Sequence, residues 1–213
     1  MQKKSLKLWE ELWQRIGSDD LSLASTSALI IILAEYQAAG RFYHTFTHVE
    51  NCIAEFQKAR HLADDPDVVE FALWFHDVVY NPVLRNNEEE SAKFAMEIGD
   101  EAGISKEFLQ RVAALIMATK HAEIPDFDDG RLIVDIDLAI LGQSEEVFDK
   151  YEEDIREEYS WVREDVFRSG RAEILQSFLD RHSIYCTQFF SDKYEAQARR
   201  NLTLSIEKLK HPN

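Results

Sequence analysis

Cysteine, proline and glycine are all scarce in this chain, which has 2, 4 and 7 of them in 213 residues. Two cysteines, Cys52 and Cys186, cannot build a disulfide framework, and in a reducing compartment both are expected as thiols. So few turn formers argue against a sheet, which needs a reversal every few residues. Alternating Val/Ile/Thr segments are almost absent as well. Basic charge is also short, with 24 Lys and Arg against 40 Asp and Glu and a formal net charge of -16. That balance disfavours a nucleic-acid backbone or an anionic membrane as partner, since both need a basic face. No apolar run approaches the roughly 18 residues of a membrane span. The opening Met-Gln-Lys-Lys-Ser-Leu-Lys-Leu-Trp lacks the apolar core of a signal peptide, so a cytoplasmic protein is expected.

What is present is helical periodicity. With 45% hydrophobic residues and no Ser/Gly/Pro-rich linker, the chain reads as a single all-α domain, a helical bundle over residues 1–213. Scaffold helices are expected at Leu6–Ile16 and at Leu21–Ala39, the second ended by Gly40. His44, His48, Cys52 and Phe56 share one helical stripe. Asp65-Pro66 reads as an N-cap and first helical position, and Asn81-Pro82 as an exit, so His76-Asp77 falls near the last turn between them. A further helix runs from Asn86 to about Gly99, with Asn87 and Glu90 as a capping pair. Ser105 caps a helix reaching Thr119-Lys120-His121. Beyond a polar loop, Leu132–Gly142 reads as a fully buried helix. Ser144 then caps a helix over Glu145–Val166, Gly170 is a break, and helices follow near Arg171–Arg181 and Lys193–Leu209. Residues 1–40 would form scaffold, 41–142 the core of a site and 143–213 the helices that complete it.

Two burials in this pattern are expensive. Asp77 stands among Phe75, Val78 and Val79, and Asp135 and Asp137 interrupt an otherwise apolar run. A carboxylate removed from water costs several kcal/mol unless it is paired, hydrogen-bonded or bound to a metal. One divalent ion would answer both costs, because His48, His76, Asp77 and one of Asp135 and Asp137 make a mixed imidazole and carboxylate set suited to Mn, Fe, Co, Ni, Zn or Mg. Two residues apart on a helix, the two aspartates cannot face the same way; Asp137 is the choice. The bland account of the same residues is a buried polar network without metal.

His48, then His76-Asp77 after a gap of 28, then Asp137 in Val-Asp-Ile-Asp-Leu, resembles the H…HD…D signature of the HD superfamily of metal-dependent phosphohydrolases, which are all-helical. The likeness covers about residues 41–142. Tyr-His-x-x-x-His, Trp-Phe-His-Asp-x-Val-Tyr-x-Pro, Asn-Glu-x-x-Ser-Ala and the later Gly170-Arg171, Ile184-Tyr185 and Ala198-Arg199-x-Asn201-Leu202 are similar to a bacterial group of predicted HD phosphohydrolases. The resemblance implies that His48, His76, Asp77 and Asp137 bind the ion, with room in the pattern for a second. It implies hydrolysis of a small phosphorylated molecule, a nucleotide among the candidates, by a metal-bound hydroxide.

Tyr43-His44 is similar to the Tyr-His that precedes a metal histidine in cyclic-nucleotide phosphodiesterases, which gives His44 the general-acid role. Thr45 stands where those enzymes have Asn, so their substrates do not carry over. Glu88 would position the attacking water, against the ordinary reading of a first-turn glutamate as a cap residue. His121 would meet a second ion or the phosphate, against that of a solvated terminal histidine. Lys120, Arg171 and Arg199 would neutralise phosphate, against ordinary ion pairing. Cys52, on the His48 face, raises a His/Cys zinc site against a small core residue. A ferritin-like di-iron bundle needs Glu-x-x-His pairs, and none of the seven histidines has one. A two-iron HD-type oxygenase and a ligand-binding HD module without turnover complete the competing readings.

Overall fold

A computed structural model of the chain describes residues 3–17 and 22–211. The described residues are all-α: ten α-helices, two 3-10 turns and no strand. The chain divides into two compact units, Met1–Ile133 and Val134–Asn213.

The first unit is organised around α4 (Pro66–Phe75). Asp65 accepts a hydrogen bond from Val68 N at 3.4 Å, and Pro66 stands at the first helical position, as expected from the sequence. Every residue from Val68 to Phe75 is buried, because a helix apolar on all sides must be covered on all sides. The cover comes from α1 (Lys3–Ile16), α3 (Phe46–Ala59), α5 (Asn87–Glu101) and α6 (Lys106–Ala118). Trp9 of α1 meets Trp74 edge-on at 5.2 Å, Trp13 meets Phe71 at 5.9 Å, and Phe46 of α3 meets Trp74 at 5.9 Å. Trp9 Nε1 reaches the Ser25 carbonyl of α2 (Ser22–Tyr36) at 3.1 Å, and Tyr36 Oη donates to the Trp74 carbonyl at 3.2 Å. Within α4 the buried carboxylate, Glu70, lies between Arg15 (2.7 Å) and Arg60 (2.5 Å), which also hold Asp67. Burial pushes the Glu70 carboxyl up, against the pull of both guanidinium groups.

Several boundaries differ from the sequence reading. Leu21 lies outside the described residues, and α2 ends at Tyr36 rather than Ala39. Gly40, at φ +90°, belongs instead to the turn that follows, where a side chain would be strained. His44 precedes α3, whose N-cap is Thr45, so His44 and His48 do not share a helix. The cap of α5 is Asn86, and Asn87 does not pair with Glu90. Asn87 instead accepts from Asn81 N at 2.9 Å and donates to the Asn81 carbonyl at 3.1 Å. For α6 the expected cap holds, with Ser105 Oγ accepting from Phe108 N at 3.3 Å.

The division between the units falls within α7 (Asp128–Asp137). The buried run predicted as one helix over Leu132–Gly142 changes at Asp137 into a 3-10 turn, Leu138–Gly142. In the second unit this turn packs against α10 (Gln188–Lys210). A methyl group added to Gly142 would collide with Tyr194, so the close approach requires glycine. Asn201 Nδ2 closes the contact by donating to the carbonyls of Leu141 (2.8 Å) and Gln143 (2.9 Å).

Gly170 does not break a helix. The break lies at residues 159–163, between α8 (Glu145–Glu158) and α9 (Glu164–Leu179), and Gly170 is interior to α9. Arg156 holds the reversal by donating to the carbonyls of Tyr159 (2.7 Å) and Val162 (3.1 Å). The helix α10 also begins earlier than Lys193. Because a Cβ at Gly170 would meet nothing within 4 Å, Gly170→Ala is expected to stabilise the protein by about 0.5–1 kcal/mol. The readout is the urea midpoint; a lowered midpoint would show that glycine is needed there.

Candidate metal centre

The end of α4 and the start of α3 converge on two histidines. His76 is the C-cap of α4, 1% exposed, and His48 lies in the first turn of α3, 3% exposed. Their Nε2 atoms are 3.0 Å apart. His76 Nδ1 lies 3.0 Å from the Leu73 carbonyl, which can only accept, so the neutral ring carries its proton on Nδ1 and turns an Nε2 lone pair toward His48. Asp77 Oδ2 completes the convergence, at 3.2 Å from His76 Nε2 and 3.4 Å from His48 Nε2. Burial alone would push the Asp77 carboxyl up. The facing imidazoles of His76 and His48 outweigh it, holding the group well below the usual carboxylate range.

These three donors fit a divalent cation. Donors about 2.1 Å from one ion and at right angles to each other are separated by about 3.0 Å, close to the His48–His76 spacing. The His76 Nε2 lone pair and the Asp77 carboxylate, both acceptors, require either an Nε2 proton on His48 or a cation between them. The set is borderline in softness, as the sequence reading expected.

Around this point the backbone is fixed by side chains that sequence reasoning missed. Arg41 donates to the carbonyls of His44 (3.0 Å), Asp77 (2.7 Å) and Val78 (2.7 Å), joining the segment before α3 to the segment after α4. Its guanidinium lies over the rings of Tyr36 and Tyr80, at 5.2 and 5.5 Å from their centroids. Ser91 accepts from Val79 N at 3.1 Å and donates to the Val79 carbonyl at 3.2 Å. With Asn87 on Asn81, Ser91 pins α5 to the chain leaving Asp77. The signal was present in Asn-Glu-x-x-Ser-Ala: Asn87 and Ser91 are four apart and so share a helix face.

Of the candidate residues of the first unit, His44 lies beside this segment. His44 is half-buried, stacked on Tyr80 with ring centroids 4.1 Å apart, and its own centroid is 6.1 Å from that of His48. Glu88 is half-buried in the first turn of α5, beside Glu89, which pairs with Lys120. His121 follows the end of α6 at φ +56°, the left-handed region.

In the second unit, Asp135 is fully buried and accepts from Cys186 N (2.7 Å), Thr187 N (2.7 Å) and Thr187 Oγ1 (2.6 Å). Burial pushes its carboxyl up while these donors pull it down. Asp137, the last residue of α7, is half-buried; its charge adds to the burial that raises the Tyr151 hydroxyl. Arg171 donates to Tyr151 Oη at 2.7 Å and to Glu152. Arg199 pairs with Glu195 at 2.7 Å and donates to the carbonyls of Leu179, Arg181 and His182 at 2.9–3.1 Å. Both arginines are engaged in holding this unit's helices and turns.

Fold and side chains together define, among the described residues, an all-helical protein in which two buried histidines converge with a half-buried aspartate. The chain matches no family model, no curated protein and no solved structure.

Proposed function

We propose that the chain is a metal-dependent phosphohydrolase of the HD type, acting on a phosphate ester of a small molecule. The observation that supports this reading most is the 3.0 Å approach of the His48 and His76 Nε2 atoms with Asp77 against both. His48, His76 and Asp77 would hold one divalent ion. When bound, the ion would polarise a phosphoryl oxygen and acidify a water.

The chain's own side chains supply the rest. His44, held by stacking on Tyr80, protonates the leaving oxygen. Glu88 orients the attacking water from the first turn of α5. Lys120 and His121, at the end of α6, face the phosphate, and Arg171 and Arg199 act at a distance by ordering the second unit. Among the described residues no helix is long and apolar enough to cross a membrane.

The test is metal content by mass spectrometry on protein purified without chelators, followed by a phosphate-ester screen with the ion found. His44→Ala should lower kcat about 10²-fold on any ester turned over while leaving metal content unchanged. Protein that stays metal-free after incubation with Mn, Fe, Co, Ni, Zn or Mg would sink the reading. Metal retained without turnover of any ester, together with thermal stabilisation by a nucleotide, would make the chain a binding module instead.

A further inference from the structure

We propose that α2 carries a self-association surface, on which two copies of the chain pair antiparallel about a two-fold axis between Ala28 and Leu29. One stripe of α2 is committed to the core: Ser25, Ala28, Ile32 and Tyr36 are buried, the Ser25 carbonyl accepts from Trp9 Nε1, and Tyr36 Oη donates to the Trp74 carbonyl. The opposite stripe is apolar too, and it faces solvent. Leu23, Ile30 and Ile31 are 77%, 63% and 39% exposed, and Ser27 and Ala34 complete the row. Leu23, Ser27, Ile30 and Ala34 follow one another in steps of four, three and four residues, the spacing of a helix–helix seam. A surface helix ordinarily turns charge to water on that side.

The residues of the stripe select a second copy as its occupant. No charged residue occurs from Ser22 to Ala34, in a chain whose formal net charge is -16. Two such chains repel over most of their surfaces and approach most easily where neither presents a carboxylate. Turned end for end about the point between Ala28 and Leu29, the stripe is its own complement. Leu23 then meets the partner's Ala34 and Ser27 meets the partner's Ile30, so each large side chain faces a small one, twice over by symmetry. Glu35, the one charged residue of α2, falls level with the first turn of the partner's α2, where free N–H groups and the helix dipole favour a carboxylate. A parallel pairing would instead set Leu23 on Leu23 and Glu35 on Glu35.

From Leu23 to Ala34 the stripe is about 17 Å long at 1.5 Å per residue. One helix pair of that length buries less than the roughly 1,200–2,000 Å² of a stable interface, so the dimer is weak and forms at micromolar and higher concentrations.

The test is sedimentation velocity on the full chain, in a concentration series from micromolar to submillimolar, at low and high salt. Wild type should pass from monomer to dimer. Its midpoint concentration should fall at least about threefold from ~0.05 to ~0.5 M NaCl, because salt screens the repulsion of two acidic copies and leaves apolar contact intact. Ile30→Glu and Ser27→Glu, both at exposed positions, should each weaken association at least about tenfold with circular dichroism unchanged, since each buries an unpaired charge in the seam. Leu204→Glu, at an exposed leucine of α10, should leave it unchanged. In a Cys186→Ser background, Ser27→Cys mixed with Ile30→Cys should form mixed cross-links on mild oxidation in excess of either variant with itself. A chain that stays monomeric throughout, association that weakens with salt, or a dimer indifferent to both glutamates would overturn the surface. An excess of like-with-like cross-links would overturn the antiparallel pairing.

Discussion

Asp77→Asn is expected to lower metal affinity at least about 10²-fold and phosphate-ester hydrolysis about 10³-fold, with far-ultraviolet circular dichroism unchanged. The substitution keeps the shape of the side chain and one carbonyl oxygen, so the packing around His76 survives. It removes the negative charge that stands 3.2 and 3.4 Å from the two Nε2 atoms. Without that charge the two neutral imidazoles face the dication with no carboxylate beside them. An ion that polarises the phosphoryl group is worth several kcal/mol, and about 4 kcal/mol corresponds to a 10³-fold rate. Chelation of wild type should lower its unfolding free energy by about 2.7 kcal/mol relative to protein at 100 times the dissociation constant for the ion. Metal content and hydrolysis left intact in Asp77→Asn would remove Asp77 from the ligand set.

Asp135→Ala is expected to cost about 3–5 kcal/mol in unfolding free energy. The fully buried carboxylate accepts from two backbone N–H groups and one hydroxyl at the entry to α10. Deleting it strands those donors in an interior where each unsatisfied group costs about 1–3 kcal/mol. Asp135→Asn, which keeps one acceptor but turns an amide donor toward other donors, should cost about half as much. Asp137→Ala, two residues on, is expected to change stability little. Urea titrations of the three variants separate the two positions. Equal loss of stability in Asp135→Ala and Asp137→Ala would show that Asp135 is not the structural member of the pair.

The pair also illustrates what was legible in the sequence. That the two could not face the same way followed from helical periodicity, but which one turned inward did not. The deciding partners, Cys186 and Thr187, are about fifty residues downstream, beyond the reach of any local pattern. The same limit applied to Asn87, read as half of a capping pair, because its actual partner is the backbone of Asn81. Gly170 was read as a break because glycine weakens a helix, but the cost is only about 1 kcal/mol and α9 runs through it. The true reversal at 159–163 depends on Arg156 filling carbonyls that the sequence gives no reason to expect.

Composition and periodicity determined that the chain is helical, where most helices begin, and that His48 and His76 are buried at helix ends, whereas Asp77 proves only half-buried. These follow from local causes: propensity, caps, and the cost of leaving apolar stripes or buried charges unanswered. Only the tertiary structure decided that two imidazole nitrogens and a carboxylate meet at one point, that Arg41 ties together the segments carrying them, and that Asp135, Arg171 and Arg199 serve as structural ties in the second unit. Those outcomes depend on distances between residues far apart in the chain, which are set by how the helices pack and not by the identity of any neighbour in sequence.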